Sequence, residues 1–207
     1  TILKKKNIVH YTRDINDKEI ENSDFVILPA SIIAHETEIE AISKLSHKKI
    51  FVTGIFATTM KEKYLTDNSI VVKNESDTFF YNLDKSDNLN LSFLNELFNK
   101  KDLINDFYSP VSLDDLPYPD WGNYVKNYPL RNDFFSLNQK IAVPLLGTRG
   151  CPYSCFFYCT YPLQQGRKVR ARSVENIIEE IIYWKKKLGT NKFVFRDPVF
   201  SINRKHT

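Results

Sequence analysis

Residues 140–159 read Lys140-Ile-Ala-Val-Pro-Leu-Leu-Gly-Thr-Arg-Gly-Cys-Pro-Tyr-Ser-Cys-Phe-Phe-Tyr-Cys159: an apolar, strand-like run passes without a break into a loop punctuated by glycine and proline. The loop holds all three cysteines of the chain, Cys151, Cys155 and Cys159. An odd number of cysteines argues against a secreted disulfide framework and for a reducing, cytoplasmic compartment. Three thiolates this close, with no other cysteine in the chain, read as a metal nest. Iron–sulfur clusters are normally held by four protein ligands, so three leave one iron open. An open metal corner is where chemistry happens, whereas a closed tetrahedral site is usually structural. Two other readings of the same residues stay open: three buried small hydrophobes, and a zinc site drawing on His206.

Downstream of the loop the signals are regular. Ser173 stands where an N-cap belongs. Val174, Ile177, Ile178, Ile181, Trp184 and Leu188 then recur at helical spacing. Glu175, Glu179 and Glu180 come early and Lys185, Lys186 and Lys187 late, matching the helix dipole, and Gly189 sits at C′. Phe193-Val-Phe195 is the next strand, ending at Arg196-Asp197-Pro198. The run 140–198 is therefore one β-loop-α-β unit, with the cysteines at the carboxyl end of its first strand, the edge where parallel α/β folds carry their sites.

Upstream, apolar runs at 24–28, 49–53 and 69–72 alternate with helical spacing at 36–45, a short helix over 60–65 and another from 76 to 83. That rhythm is a parallel sheet covered by helices. Gly54 closes the second strand. From Asp84 the texture turns polar, weakly helical over 92–99, and then rich in proline and aromatics (Pro110, Pro117, Pro119, Pro129, Tyr118, Trp121, Tyr124, Tyr128). Residues 84–139 are expected to connect an α/β domain at 1–83 to a second domain at 140–207, ordered and packed over 100–138, with a flexible tether as the other reading. Net charge is +4 with 25 acidic residues interspersed, which singles out no nucleic-acid partner. No apolar run approaches the roughly 18 residues of a membrane span. The first residue is Thr1 and the last, Thr207, follows a strand-like run, so both ends read as cut from something longer.

The stretch Gly147-Thr-Arg-Gly-Cys-Pro-Tyr-Ser-Cys155 resembles the cluster-binding loop of radical S-adenosylmethionine (SAM) enzymes. The segments Gln165–Ile181 and Phe195–Lys205 strengthen the likeness, and point to the subgroup that carries a cobalamin-binding domain ahead of the radical SAM barrel. Thr53-Gly-Ile-Phe-Ala-Thr-Thr59 and Lys73-Asn-Glu-Ser-Asp77 are similar to loops of that cobalamin domain, and Leu116-Pro-Tyr-Pro-Asp-Trp121 to the connector. The resemblance implies an α/β chain: a partial Rossmann-like parallel sheet, then the first β/α units of a partial TIM-type radical SAM barrel. It implies that Cys151, Cys155 and Cys159 hold a [4Fe–4S] cluster whose fourth iron takes SAM. Tyr158 would pack near the adenine, Asp197 would meet the polar groups of SAM, and Arg170 and Arg172 would reach its carboxylate or ribose. Gly54 would be a cobalamin contact. The implied activity is radical chemistry such as methylation or rearrangement, fed by a low-potential electron donor, on a small-molecule or lipid-like substrate.

The residues also depart from that pattern. The family spacing is C-x3-C-x2-C, and here the second gap is x3; one added residue shifts the third sulfur by up to about 3.5 Å unless the loop bulges, and the bulge is expected at Phe156–Phe157. The cobalamin-ligating motif D-x-H-x-x-G is absent, His35 lying in Ile33-Ala-His-Glu36, so cobalamin is expected in a parent protein more than in this chain. Of the barrel, the first β/α unit and one further strand are expected in this chain. A non-catalytic truncated fragment or binding module with a degenerate cluster loop is therefore the alternative reading.

Overall fold

The computed structural model describes residues 12, 14–85, 91–99, 111–127, 141–155 and 158–202. The chain divides between residues 110 and 111 into two units.

The first unit opens with a short helix α1 (Lys18–Glu21), capped by the Asp17 carboxylate on Glu19 N–H. Strand β1 (Phe25–Pro29), helix α2 (His35–Lys44), strand β2 (Lys49–Thr53), helix α3 (Ile55–Thr59), a 3-10 turn at Lys61–Lys63 and strand β3 (Ser69–Val72) follow. The sheet is parallel in the order β1-β2-β3, with Phe25 opposite Lys49 and Phe51 opposite Ile70. Side chains alternate between its faces. Phe51, Ile70 and Val72 face Phe79, Phe80 and Leu83 of helix α4 (Ser76–Lys85) and Leu94, Leu97 and Phe98 of helix α5 (Leu91–Asn99). Ile50, Val52 and Val71 face Ile20, Ile42, Leu45, Ala57 and Tyr64 on the other side. Both faces are covered, which is why β2 and β3 are almost unbroken apolar runs. Each fully buried aromatic or branched aliphatic side chain here is worth about 1.5–3 kcal/mol.

Two polar devices tie the α2 side together. Tyr64 O–H donates to Glu38 Oε2 at 2.8 Å, while Glu38 Oε1 accepts from Ser31 N–H at 2.8 Å, so the buried carboxylate is satisfied. Burial, then the neighbouring Glu38, push the Tyr64 hydroxyl well above the ordinary tyrosine range. Asn68 Nδ2 donates to the carbonyls of Leu45 and Lys48, at 3.0 and 3.1 Å, closing the C-terminal end of α2.

The helix expected over 60–65 is replaced by α3, five residues earlier, and the 3-10 turn. Gly54 explains the shift. Its φ of 106° turns the chain directly out of β2, and a Cβ there would stand 2.7 Å from Ala30 O.

The connector expected at 84–139 is divided between the units. Helix α4 runs to Lys85 and α5 contributes Leu94, Leu97 and Phe98 to the first core. Residues 111–127 belong with the second unit, as a 3-10 turn (Leu113–Asp115) and helix α6 (Trp121–Asn127).

The second unit then runs β4 (Ala142–Leu145), β5 (Thr148–Arg149), α7 (Tyr161–Gln165), β6 (Arg170–Ala171), α8 (Val174–Leu188) and β7 (Lys192–Phe195). Strand β7 pairs in parallel with β4, Val143 opposite Phe193, completing a β-loop-α-β unit; β5 and β6 form a separate two-residue antiparallel ladder. The core gathers Val143, Leu145 and Trp184, with Tyr118, Trp121, Ile181, Leu188 and Phe193 against them. Ser173 caps α8 through Asn176 N–H, and Gly189 ends it with φ 64°. The Asp114 carboxylate accepts from Ser173 N–H at 2.9 and 3.1 Å, joining the 3-10 turn to the helix start. The described residues of this unit form this one α/β unit, and a barrel is not formed among them. No described helix is long and apolar enough to cross a membrane.

Candidate metal centre

The cysteine loop leaves β4 and returns at β6, and its base is held from both sides. On one side Asp197, just beyond β7, accepts from Gly147 N–H at 3.2 Å through Oδ2. Its Oδ1 accepts from Thr148 N–H at 2.5 Å and from Thr148 Oγ1–H at 2.6 Å. On the other side Arg172 N–H donates to Gly147 O at 2.9 Å and Arg172 Nη1 to Leu146 O at 3.2 Å. The ladder β5–β6 closes the base.

Inside the loop, residues just before β6 hold the segment that carries the first cysteine. Gly150 N–H donates to Gln165 Oε1 at 3.0 Å and Cys151 N–H to Gly166 O at 3.1 Å. Arg167 Nη1 donates to Tyr153 O at 3.3 Å and Ser154 Oγ at 3.1 Å. Gly150 is a glycine by necessity: its φ is 87°, and a Cβ would stand 2.2 Å from Lys168 O.

The three cysteines are free thiols. Cys151 is buried at 4% exposure, Cys159 is half-buried and Cys155 is exposed. Three soft thiol donors on one short loop, with no disulfide among them, fit the chemistry of an iron–sulfur cluster. Among the described residues, however, no three His, Cys, Asp or Glu side chains already stand together as a metal-ligand set. A cluster would therefore have to draw Cys155 and Cys159 toward the anchored Cys151. The bulge expected at Phe156–Phe157 lies outside the described residues.

The other residues singled out by sequence are placed as follows. Tyr158 is 72% exposed beside Cys159. Asp197 is engaged with the loop base. Arg172 is drawn inward: Nε donates to Asn176 Oδ1 at 2.7 Å, Nη2 to Asn176 O at 3.3 Å, and Nη1 pairs with Glu180 Oε2 at 2.5 Å. Glu180 is 1% exposed and also accepts from Trp184 Nε1, and the guanidinium lies 5.6 Å from the Tyr118 ring centre. Burial and then Glu179 raise the Tyr118 hydroxyl above its ordinary range, with Arg172 pulling the other way. Arg172 is thus a structural strut between β4 and α8. Arg170 donates through Nη2 to Gln165 O at 3.2 Å, back toward the end of α7. Gly54 lies in the first unit, where the close approach to Ala30 accounts for it. His35 packs edge-on against Phe56, with Nδ1 3.0 Å from Ile32 O.

Sequence reasoning passed over Thr148, Gln165 and Arg167. Gln165 and Arg167 act through contacts that cross the loop, and a two-residue strand has no periodicity to announce itself.

The class these features define is an α/β chain with a thiol-bearing strand-to-helix loop. No protein-family model matches it. Its sequence is similar to three methyltransferases. An uncharacterized methyltransferase of Pyrococcus horikoshii is 38% identical over 61 residues, 30% of this chain and 13% of that protein. The bacteriochlorophyllide d C-12(1)-methyltransferase of Chlorobaculum tepidum is 35% identical over 80 residues, 35% of this chain and 17% of that protein. The cytidylyl-2-hydroxyethylphosphonate methyltransferase of Streptomyces wedmorensis is 28% identical over 92 residues, 41% of this chain and 16% of that protein. The chain thus spans less than a fifth of each relative.

Proposed function

We propose that this chain carries the cluster-binding loop of a radical SAM methyltransferase, with Cys151, Cys155 and Cys159 as the metal ligands. The observation that carries the reading is the loop: three free thiols at the carboxyl end of β4, on a base clamped by Asp197 and Arg172. The similarity to methyltransferases supports the reaction class. The two substrates named among the relatives are chemically unalike, so the reaction class carries over and the substrate does not.

A [4Fe–4S] cluster held by Cys151, Cys155 and Cys159 would, once reduced by an external low-potential donor, supply the electron for reductive cleavage of SAM. The chain's own residues orient and shelter. The clamp fixes where the loop leaves the sheet, and the contacts to Gln165 and Gly166 fix Cys151. Cys155, exposed, and Cys159, half-buried, would have to approach Cys151 to complete the ligand set. The backbone N–H groups of Gly147 and Thr148 are already committed to Asp197, so the polar groups of SAM must find other donors.

The test is anaerobic reconstitution with iron and sulfide, followed by iron counts and EPR of the reduced protein with and without SAM. About four irons per chain, with a signal that changes on adding SAM, is the expected result. Zinc or no metal would overturn the reading and leave a binding module with a degenerate loop, the alternative with which the added residue between Cys155 and Cys159 is consistent.

A further inference from the structure

We propose that Asp197 is the positioning residue of the cysteine loop: its carboxylate clamps the Gly147–Thr148 segment and so keeps Cys151 in its sheltered place. Three hydrogen bonds converge on this one side chain from a segment 50 residues away, two from consecutive backbone N–H groups and one from the Thr148 hydroxyl. An ionised carboxylate is acceptor-only, with about four lone-pair sites, and these contacts occupy three of them. Consecutive N–H groups aimed at one anion form a small concave site of the kind that phosphates and carboxylates occupy. Here the protein fills that site with its own side chain.

The chain of connection to the metal ligands is short. Thr148 is buried at 1% exposure and begins β5; Gly150, two residues on, is pressed against Lys168 O; Cys151 follows, its N–H on Gly166 O. No glycine intervenes between Thr148 and Gly150 to relieve a displacement. Asp197 also follows β7, whose neighbour Arg196 donates its N–H to Leu145 O at 2.8 Å. The carboxylate therefore reports the position of β7 directly to the base of the cysteine loop. An asparagine has the same size and shape but one acceptor oxygen, and its amide would set donor against donor at Gly147 N–H.

The test starts on the metal-free protein, so that the clamp is judged apart from the cluster. Alkylation of Cys151 and Cys155 by iodoacetamide is timed by mass spectrometry in wild type, Asp197→Asn, Thr148→Val and Thr148→Ser. The Cys151 rate relative to Cys155 is expected to rise about tenfold in Asp197→Asn, the size of losing one charge-assisted hydrogen bond. It should rise less in Thr148→Val and return toward wild type in Thr148→Ser, which keeps the hydroxyl. Should Asp197→Asn fail to fold by circular dichroism, the Thr148 pair decides. An unchanged ratio across the folded variants overturns the proposal.

The second arm rests on the loop holding a cluster. Reconstituted Asp197→Asn is expected to lose iron to a chelator about 10–100-fold sooner than wild type, with an altered EPR signal, as when groups behind metal ligands are removed. Iron held equally well, with an unchanged signal, counts against Asp197 while leaving the cluster intact. Wild type that takes up no iron sinks the proposed function, and the alkylation ratio still judges the clamp.

Discussion

Buried beside Glu180, the guanidinium of Arg172 has exchanged water for protein partners, and the effect of removing it follows from that exchange. Arg172→Met leaves the Glu180 carboxylate at 1% exposure with the Trp184 indole as its remaining side-chain donor among the described residues. Stranding one member of a buried pair costs about 3–5 kcal/mol, far more than the pair is worth against apolar residues of equal size. The double variant Arg172→Met/Glu180→Leu should therefore recover most of that loss. It should fall short of wild type by about 1 kcal/mol, for the lost indole hydrogen bond. Urea denaturation of the two single variants and the double variant reads the coupling. Equal losses that simply add would show that the pair is not a strut. Asp197 differs in kind, since its partners are the backbone of the loop and its removal changes position as much as stability.

Helix α8 is the element whose sequence is most nearly its structure. Cap, acidic start, apolar stripe, basic end and left-handed Gly189 all announce themselves locally, and the observed bounds Val174–Leu188 follow. Ser173→Ala removes the hydroxyl that accepts from Asn176 N–H and is expected to cost about 1 kcal/mol, with Ser173→Asp retaining most of it. Tryptophan fluorescence during thermal unfolding measures both. Other elements were legible only in part. Helix α3 begins straight after Gly54 because the chain turns sharply there, and its Thr58 and Thr59 hydroxyls bond back to Gly54 O and Ile55 O. β-Branched residues of low helical preference hid it. Helix α5 looked weak because its flanks are polar, yet Leu94, Leu97 and Phe98 share one face and find the sheet. The cysteines could be found by their spacing alone. The hold of Asp197 on the loop could not, because nothing local to either segment encodes a contact across 50 residues.

At the scale of the molecule, each unit has an apolar core built from its own residues. The first unit's two clusters flank the three-stranded parallel sheet of the described residues, so residues 1–110 are expected to fold when produced alone. Circular dichroism should show one cooperative melt, and a featureless trace would contradict the division. Both tryptophans of the chain, Trp121 and Trp184, lie in the second unit, so fluorescence of the whole chain follows that unit and leaves the first silent. The first unit should also carry a pH signature. Its Tyr64 hydroxyl is raised by burial and by Glu38, so the protonated form is favoured in the folded state. The stabilisation is fully present below the ordinary tyrosine value of about 10 and is lost as pH climbs above it. Tyr64→Phe should flatten the alkaline fall in stability of the 1–110 fragment.

The two-residue ladder between Thr148–Arg149 and Arg170–Ala171 works like the drawstring of a purse. It ties the neck and leaves the bag free to change size. Lengthening a closed loop costs only in proportion to the logarithm of its length, about 0.6 kcal/mol for a doubling, so one residue more or less between Cys155 and Cys159 is thermodynamically slight. The strands outside the knot would not register the change, because Thr148 still meets Ala171 and Arg149 still meets Arg170. Cysteine spacing can therefore drift inside the purse while the scaffold stays the same, and trials of loop length become an experiment on metal choice with the fold held constant.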